Sequence, residues 1–545
     1  MAVEPGVAQP LVARPRPART VRLGGHAYPL VLPTLRDPRL HVASVIITIH
    51  VLGQVGLGFW VSVPQILAAM LTSAVLEVAI TFRQSKAIVW PASAMLTGSG
   101  VALILRVVGT QPGDHWSLNG VWLYAIVAAA SLLSKYVVRW QGTHVFNPSN
   151  LGLVVTFLVL GTTRVEPLDF WWAPITNPAM ILAYLVIGGG GLLITRRLRL
   201  LELAAAFWLT LVAGLLVLAA SGHCITAGWA FAPVCGADYV RVISLSPEVM
   251  VFLFFMITDP KTVPAGRVAR VAFGGLVGAL AVVLMAPQTD EFGTKVGLLS
   301  SLVILCAARW SLERFVPAPG AAGDSLAAFG RRLLGPEPAT HVVRTVARAG
   351  LVAVVVLALG GTIVLAGTPA RGTVVPDATE LLTRLPAGVD PATLPAITLD
   401  QDVTDFDPTL AGNGIRDVVV TLGQNLELEN LALRQHDDAI LASIDHGDRL
   451  VEMEALVKAA QAGGTVVTAH YRFETIAVSL LVPFGRQSGL SLGLAATGTV
   501  VRETWDASGH LVSSVQAPFQ TTFALRRATG ARWLNVAVLP AQPAG

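Results

Sequence analysis

Charge is scarce in this sequence. Asp, Glu, Lys and Arg supply 13% of 545 residues, apolar types supply 53%, and mean hydropathy is +0.64. That balance excludes an ordinary soluble enzyme of several domains and marks a membrane protein. Cysteine is scarcer still. Cys224, Cys235 and Cys306 are too few for a disulfide framework and lack the CxxC spacing that holds zinc or an iron–sulfur cluster. No GxxxxGK[ST] loop is present, so nucleotide does not drive the chain, and no Ser/His/Asp or metal-ligand spacing points to hydrolysis. Residues 1–38 carry Arg14, Arg16, Arg19 and Arg22 among prolines, without an apolar core ahead of a cleavage site, and read as a cytoplasmic basic arm. The net charge of +4 resides in Arg clusters between apolar runs, as topology-setting loop charges do, so nucleic acid is not an expected partner.

What is abundant is hydrophobic length. A hydrocarbon core about 30 Å thick needs roughly 20 apolar residues per helix. Ten runs of about that kind lie between residues 41 and 310, beginning near 41, 63, 87, 120, 149, 174, 201, 240, 269 and 296, the fifth of them short. With the N-terminus inside, the inner loops receive Arg83 and Lys86, then Lys135 and Arg139, then Arg196, Arg197 and Arg199, then Lys261, Arg267 and Arg270. The outer loops are poor in cations and hold interfacial Trp, as the positive-inside rule requires. The chain thus divides into a membrane domain over 39–315, a cytoplasmic linker over 316–348, an eleventh crossing over 349–367 and an extracytoplasmic domain over 368–545. Cys224 and Cys235 fall in an outer loop, where they either form a disulfide or remain unpaired; Cys306 reads as a small core residue.

Ten crossings split five and five, and an odd number per half makes any internal repeat an inverted one. Gly152, Leu153 and Leu160 at the end of the first half match Gly297, Leu298 and Leu305 at the end of the second. Two polar interruptions stand out: "HVFNPSNLGL" from His144 and "FMITDPKTVP" from Phe255. Irregular backbone near membrane depth is tolerable only where protein or a polar cavity surrounds it. Asn147, Pro148, Ser149 and Asn150 suit the capped start of a short helix, and Thr258 and Asp259, beside Lys261, suit a helix end before Pro260. The alternative for each is an ordinary helix boundary at the inner surface. Of the ionisable residues within spans, His50 reads as an interhelical hydrogen-bond partner, Glu77 as either a pathway or an interfacial residue, and Glu248 as a helix-start carboxylate.

These segments resemble the paired signatures of the RnfD/NqrB membrane-subunit family, and "FNPSN" with "MITDP" is most similar to its UnbU-like branch, associated with enediyne gene clusters. "PASAMLTGSGVALIL", which contains Thr97, is similar to an early segment of the same family. The resemblance spans about residues 85 to 310 and implies a ten-helix inverted-repeat fold with a part in electron transfer coupled to ion movement. In that family the membrane subunits hold flavins, so the resemblance implies FMN or riboflavin, bound non-covalently if at all, and it marks Thr97, Asn147, Ser149, Asn150, Thr258, Asp259 and Lys261 as either cofactor-binding or ion-path residues. The Ser-Gly-Ala-Thr segment that carries covalent FMN in the family is missing here, so covalent FMN is not expected. Such a protein would be at most a non-catalytic subunit of an oxidoreductase complex, working with the bilayer and other membrane or extracytoplasmic subunits. The alternatives are a flavin-free transporter, or an accessory assembly protein whose outer domain recruits a partner.

Beyond residue 368 charge returns. "NLELENLALRQHDDAILASIDHGDRLVEMEALVKAA" reads as amphipathic helix, with Leu426, Leu433, Ile440, Leu441 and Ile444 near helical spacing, and four strand-like runs follow. Helices ahead of a curved antiparallel sheet resemble the NTF2-like/cystatin-like α+β class. Asp445, His446 and Asp448 either line a cavity or form a solvated helix face, the usual place for a charged cluster on an amphipathic helix.

Overall fold

The computed structural model describes residues 19–23, 25–110, 113–162, 164–168, 177–225, 234–334, 358–365, 394–481, 491–527 and 532–540. Arg14, Arg16 and most of the expected eleventh crossing lie outside them; residues 358–365 of that crossing are helical.

The N-terminal part is helical. Its elements are β1 (Arg19–Leu23), β2 (His26–Val31), α1 (Pro38–Gly56), α2 (Val63–Ser85), β3 (Ile88–Val89), α3 (Ala92–Ile104), β4 (Leu105–Val107), α4 (Val121–Val137), β5 (Arg139–Trp140), β6 (Thr143–His144), α5 (Pro148–Leu160) and β7 (Val165–Pro167). Then come α6 (Pro178–Arg197), α7 (Leu201–Ala220), β8 (Cys224–Ile225), β9 (Val234–Cys235), α8 (Gly236–Leu245), α9 (Pro247–Val251), a π-helical turn (Phe252–Met256), α10 (Arg267–Met285), α11 (Glu291–Glu313) and α12 (Leu326–Leu334). Among the described residues, seven stretches are long and apolar enough to cross a membrane: α1, α2, α6, α7, α8 through the π turn, α10 and α11. The other three expected crossings, α3, α4 and α5, are apolar but shorter. This is a multi-pass membrane protein. Leu71, Val75, Leu158, Val159 and Leu193 are exposed on its helices, as side chains facing lipid are.

A shared device starts four of these helices. Asp37, Asn147, Asn177 and Ser246 each accept a backbone N–H from the first turn, and each is followed by proline at the first helical position. A polar cap satisfies an orphan donor, and proline there sacrifices none. Glycine allows the closest helix contacts: a Cβ at Gly98 would collide with the Ala69 backbone on α2, and one at Gly274 with the Leu203 backbone on α7.

Three differences from the sequence expectations have physical causes. Residues 19–31 of the expected arm form a β1–β2 hairpin, and β3 joins it in parallel. The third crossing stops being helical at Ile104 and continues as β4, which pairs antiparallel with β7 after α5, so two short helices share their backbone partners. The eighth crossing is broken at Ser246–Pro247, because proline has no N–H for the preceding turn. Cys224 and Cys235 form a disulfide across the β8–β9 pair, with Cα atoms 4.4 Å apart.

The C-terminal part is strand-rich. Strand β10 (Ala396–Leu399) runs parallel to β11 (Val466–Leu481); β12 (Ser491–Trp505), β13 (Leu511–Arg527) and β14 (Trp533–Pro540) follow antiparallel in that order. The long helix Asn413–Gln435 places Val418, Leu422 and Leu426 against Ile476, Leu494 and Phe523 of the sheet. The five apolar positions expected on helical faces are all buried. At the border of β11 the carboxamide of Asn430 both donates to the Ala469 carbonyl and accepts from its N–H, each at 2.9 Å.

Asp445 corrects an expectation. It is 1% exposed rather than solvated, because Ile444 and His446 are stitched by backbone hydrogen bonds to Asn535 of β14, which turns the intervening side chain inward. Beside it lies Glu429, 3% exposed and bound by Arg449 and by Asn535. Burial above all, then the Glu429 carboxylate, pushes Asp445 up to about 10. Burial, then Arg526, holds His446 below its ordinary value. Asp448 is exposed, as expected.

Candidate functional site

The two polar interruptions meet. Asn147 caps α5 by accepting the Asn150 N–H at 3.3 Å and the Ser149 hydroxyl at 2.9 Å, while its amide donates to the Met256 carbonyl at 3.2 Å. Met256 ends the π turn; Pro260, four residues on, has no N–H to offer its carbonyl, and the Lys261 N–H, five residues on, is taken by Asp259. The π turn reinforces the break: the Ile257 N–H reaches back five residues to Phe252, and the Thr258 hydroxyl takes the Phe254 carbonyl. His144 Nε2 lies 3.4 Å from Asp259, whose other oxygen accepts the Lys261 N–H at 3.0 Å.

Around this junction lies a cavity of about 520 Å³. Thr97, Asn147, Ser149, Thr258, Asp259 and Lys261 all line it, so six of the seven principal candidates face one space. The seventh, Asn150, does not; it is buried and donates to the Leu299 carbonyl on α11 at 2.9 Å. Apolar walls come from α1, α3, α6 and the π turn, among them Ile46, Leu96, Ile194, Phe254 and Phe255. Exposed Arg39 and Lys261 stand where the cavity meets the arginine-rich end of the bundle.

The secondary candidates separate. Glu77 pairs with Lys135 at 2.9 Å, and Lys135, which also reaches Ser93 at 3.2 Å, lines the cavity. Glu77 therefore holds a wall residue rather than facing the space itself. His50 meets the expected interhelical bond: its Nε2 is 3.1 Å from the Ser99 hydroxyl of α3, away from the cavity. Glu248 pairs with Lys295 of α11 at 3.0 Å, and Lys295 also contacts Glu291 at 2.5 Å. Arg106, stacked 3.8 Å over Trp60, pairs with Glu166 nearby at 3.1 Å.

Sequence reasoning passed over Arg39, Ser93, Lys135, His144 and Lys295. Lys135 carried a signal, being a cation directly after an apolar run one helix before an elbow. Lys295 carried another, directly ahead of the tenth apolar run.

No protein-family model and no curated protein matches this chain. The site must therefore be read from its own chemistry.

Two features define that chemistry. The 520 Å³ space joins an apolar, partly aromatic wall to a polar edge of amide, hydroxyl, imidazole and ammonium groups, the composition of a pocket for an amphipathic small molecule. Ile104, Val251 and Met256 line it and also border a second cavity of about 30 Å³, which Glu248 and Lys295 line as well. A third space of about 40 Å³ shares Glu248 and Lys295 and adds Glu291. Three apolar side chains are thus shared by the large cavity and by the small one that Glu248 and Lys295 line.

Proposed function

We propose that this chain is a membrane subunit that holds a non-covalent flavin, FMN or riboflavin, in the 520 Å³ cavity and takes part in transmembrane electron transfer or coupled ion movement with partner subunits. The observation that carries the reading is the convergence of six resemblance-implied residues on one space. The donor set fits the group. An isoalloxazine is planar, with one apolar edge and one edge of hydrogen-bonding atoms. Phe254, Phe255 and Leu96 supply an apolar wall; Ser149, Thr97 and Thr258, whose hydroxyl hydrogens go to Asn147, Ser93 and Phe254, supply acceptors, and the second amide hydrogen of Asn147 supplies a donor. Lys261 offers positive charge to a ribityl phosphate or to a reduced, anionic ring, while the charge of Lys135 is balanced by Glu77. A flavin, when bound, supplies one- and two-electron transfer. The chain's own residues bind it, exclude water with their apolar walls and fix its register through the elbow amide.

The positive-inside rule orients the arginine-rich end, and with it the cavity mouth, toward the cytoplasm of the cell membrane, and the C-terminal domain outside. The five-and-five inverted repeat and the NTF2/cystatin-like class of the C-terminal domain belong to the same reading. Protein purified from flavin-replete cells should carry a flavin absorption band, or quench added FMN or riboflavin fluorescence on titration. Colourless protein that binds neither would defeat the proposal.

A second reading, a flavin-free transporter, draws on the apolar residues that the two cavities share. Ile104, Val251 and Met256 border both the large cavity and the small one that Glu248 and Lys295 line, as a closed gate between two hydrated ends would. Ion flux in reconstituted vesicles without any bound flavin would favour it.

A further inference from the structure

The short helix α12 follows the membrane bundle but does not drift free of it. Helix α10 has no side-chain cap of its own at Gly266. Asp324 supplies one from the far side of α11: Oδ1 accepts the Val268 N–H at 2.9 Å and Oδ2 the Gly320 N–H at 3.1 Å. An acceptor at the first turn satisfies an orphan donor and meets the positive end of the helix dipole. Ser325 then caps α12, its hydroxyl accepting the Ala328 N–H at 3.2 Å, and α12 packs beside α10. The helix is thereby fixed at the end of the bundle where Arg267 pairs with Glu202.

Its length and pattern say what it can do there. Nine residues make about 14 Å of helix, far short of a crossing of about 30 Å. Leu326 and Phe329 share one face, and Arg331, five residues on from Leu326, lies about 140° around the axis from it. Leu326 is 37% exposed, Arg331 is exposed, and Phe315, just after α11, is 84% exposed. Between residues 314 and 334 the sequence has three arginines, Arg314, Arg331 and Arg332, against one acid, Asp324, whose oxygens are engaged in the two caps. Exposed apolar side chains at the rim of a lipid-facing bundle, accompanied by unbalanced cations, complement a surface with an apolar interior and anionic headgroups.

We infer that α12 is an in-plane anchor that lies in the membrane interface at the arginine-rich end of the bundle and docks on acidic phospholipid headgroups. Leu326, Phe329 and Phe315 enter the acyl boundary while Arg314 and Arg331 meet phosphates. Because Asp324 ties the anchor to the start of α10, and Arg270 of α10 holds the Pro264 carbonyl at 3.0 Å, the docked helix also braces the loop that leaves Asp259. This inference is independent of what the cavity binds.

The test uses the full chain in vesicles. A nitroxide on Leu326→Cys reports depth, with low background because Cys224 and Cys235 are bridged and Cys306 is buried. In vesicles containing phosphatidylglycerol the label should be more accessible to oxygen than to a water-soluble nickel chelate, and it should be immobilised. In pure phosphatidylcholine the immobilised fraction should fall, and Arg331→Gln should weaken the phosphatidylglycerol preference roughly fivefold. A label open to the nickel chelate in both vesicle types would overturn the anchor, and equal immobilisation in both would overturn the headgroup partner.

Discussion

The Asn147 side chain spends its donor on the Met256 carbonyl, a bond that joins two elbows 109 residues apart. Pro260 has no N–H to offer that carbonyl, and another segment satisfies it. Removing the amide should cost the α5 cap, about 0.5–2 kcal/mol, and strand a buried acceptor at about 1–3 kcal/mol. Asn147→Ala should therefore lower the thermal midpoint in detergent. Pro260→Ala in the same chain restores a backbone donor and should recover part of the loss; strictly additive midpoints would refute this account.

Lys295 holds two carboxylates within a largely apolar bundle. Breaking a buried pair by removing one partner costs about 3–5 kcal/mol, because a charge is left uncompensated. Lys295→Met should destabilise the bundle by that order, and Glu248→Gln added to it should restore part of the midpoint. No rescue would mean that Glu248 is not the partner that matters.

The second reading makes Ile104, Val251 and Met256 a septum. If the second reading is right, Ile104→Ala with Met256→Ala should raise proton or small-cation leak in reconstituted vesicles by at least about tenfold, as opening a dewetted constriction does. An unchanged leak rate in folded double variant would remove the septum from any pathway.

The C-terminal sheet carries its own pH dependence. Asp445 is held up to about 10, against 3.8 unfolded, so the folded domain retains a proton that the unfolded chain releases. Stability from this group is fully present below pH 3.8 and is lost progressively as pH climbs through about 10. Asp445→Asn should flatten that slope, as read by hydrogen exchange of β14 between pH 5 and pH 9. A slope unaltered by the substitution would assign the dependence to another group.

The sequence made the elbows legible because Asn-Pro and Asp-Pro punctuate apolar runs, and the physics of unpaired backbone in lipid says that such breaks need company. It did not reveal that Pro260 would leave a carbonyl for Asn147, since that depends on a π turn whose apolar letters, "FLFFM", are those of any buried helix. Lys135 and Lys295 were hidden for another reason. Span-finding by hydropathy assigns charged ends to loops, whereas their partners, Glu77 and Glu248, sit on helices 58 and 47 residues away, from 135 − 77 and 295 − 248. The amphipathic period placed the C-terminal core correctly at Leu426 and Ile444. It misplaced Asp445 because a backbone bridge to Asn535, not helical register, decides where that side chain points.

The Asn430 carboxamide imitates a peptide group against Ala469, occupying both polar atoms that a neighbouring strand would seek. Membrane residence concentrates proteins in two dimensions, where open sheet borders invite runaway association between copies. The Asn430 amide closes that position of the seam to an incoming strand.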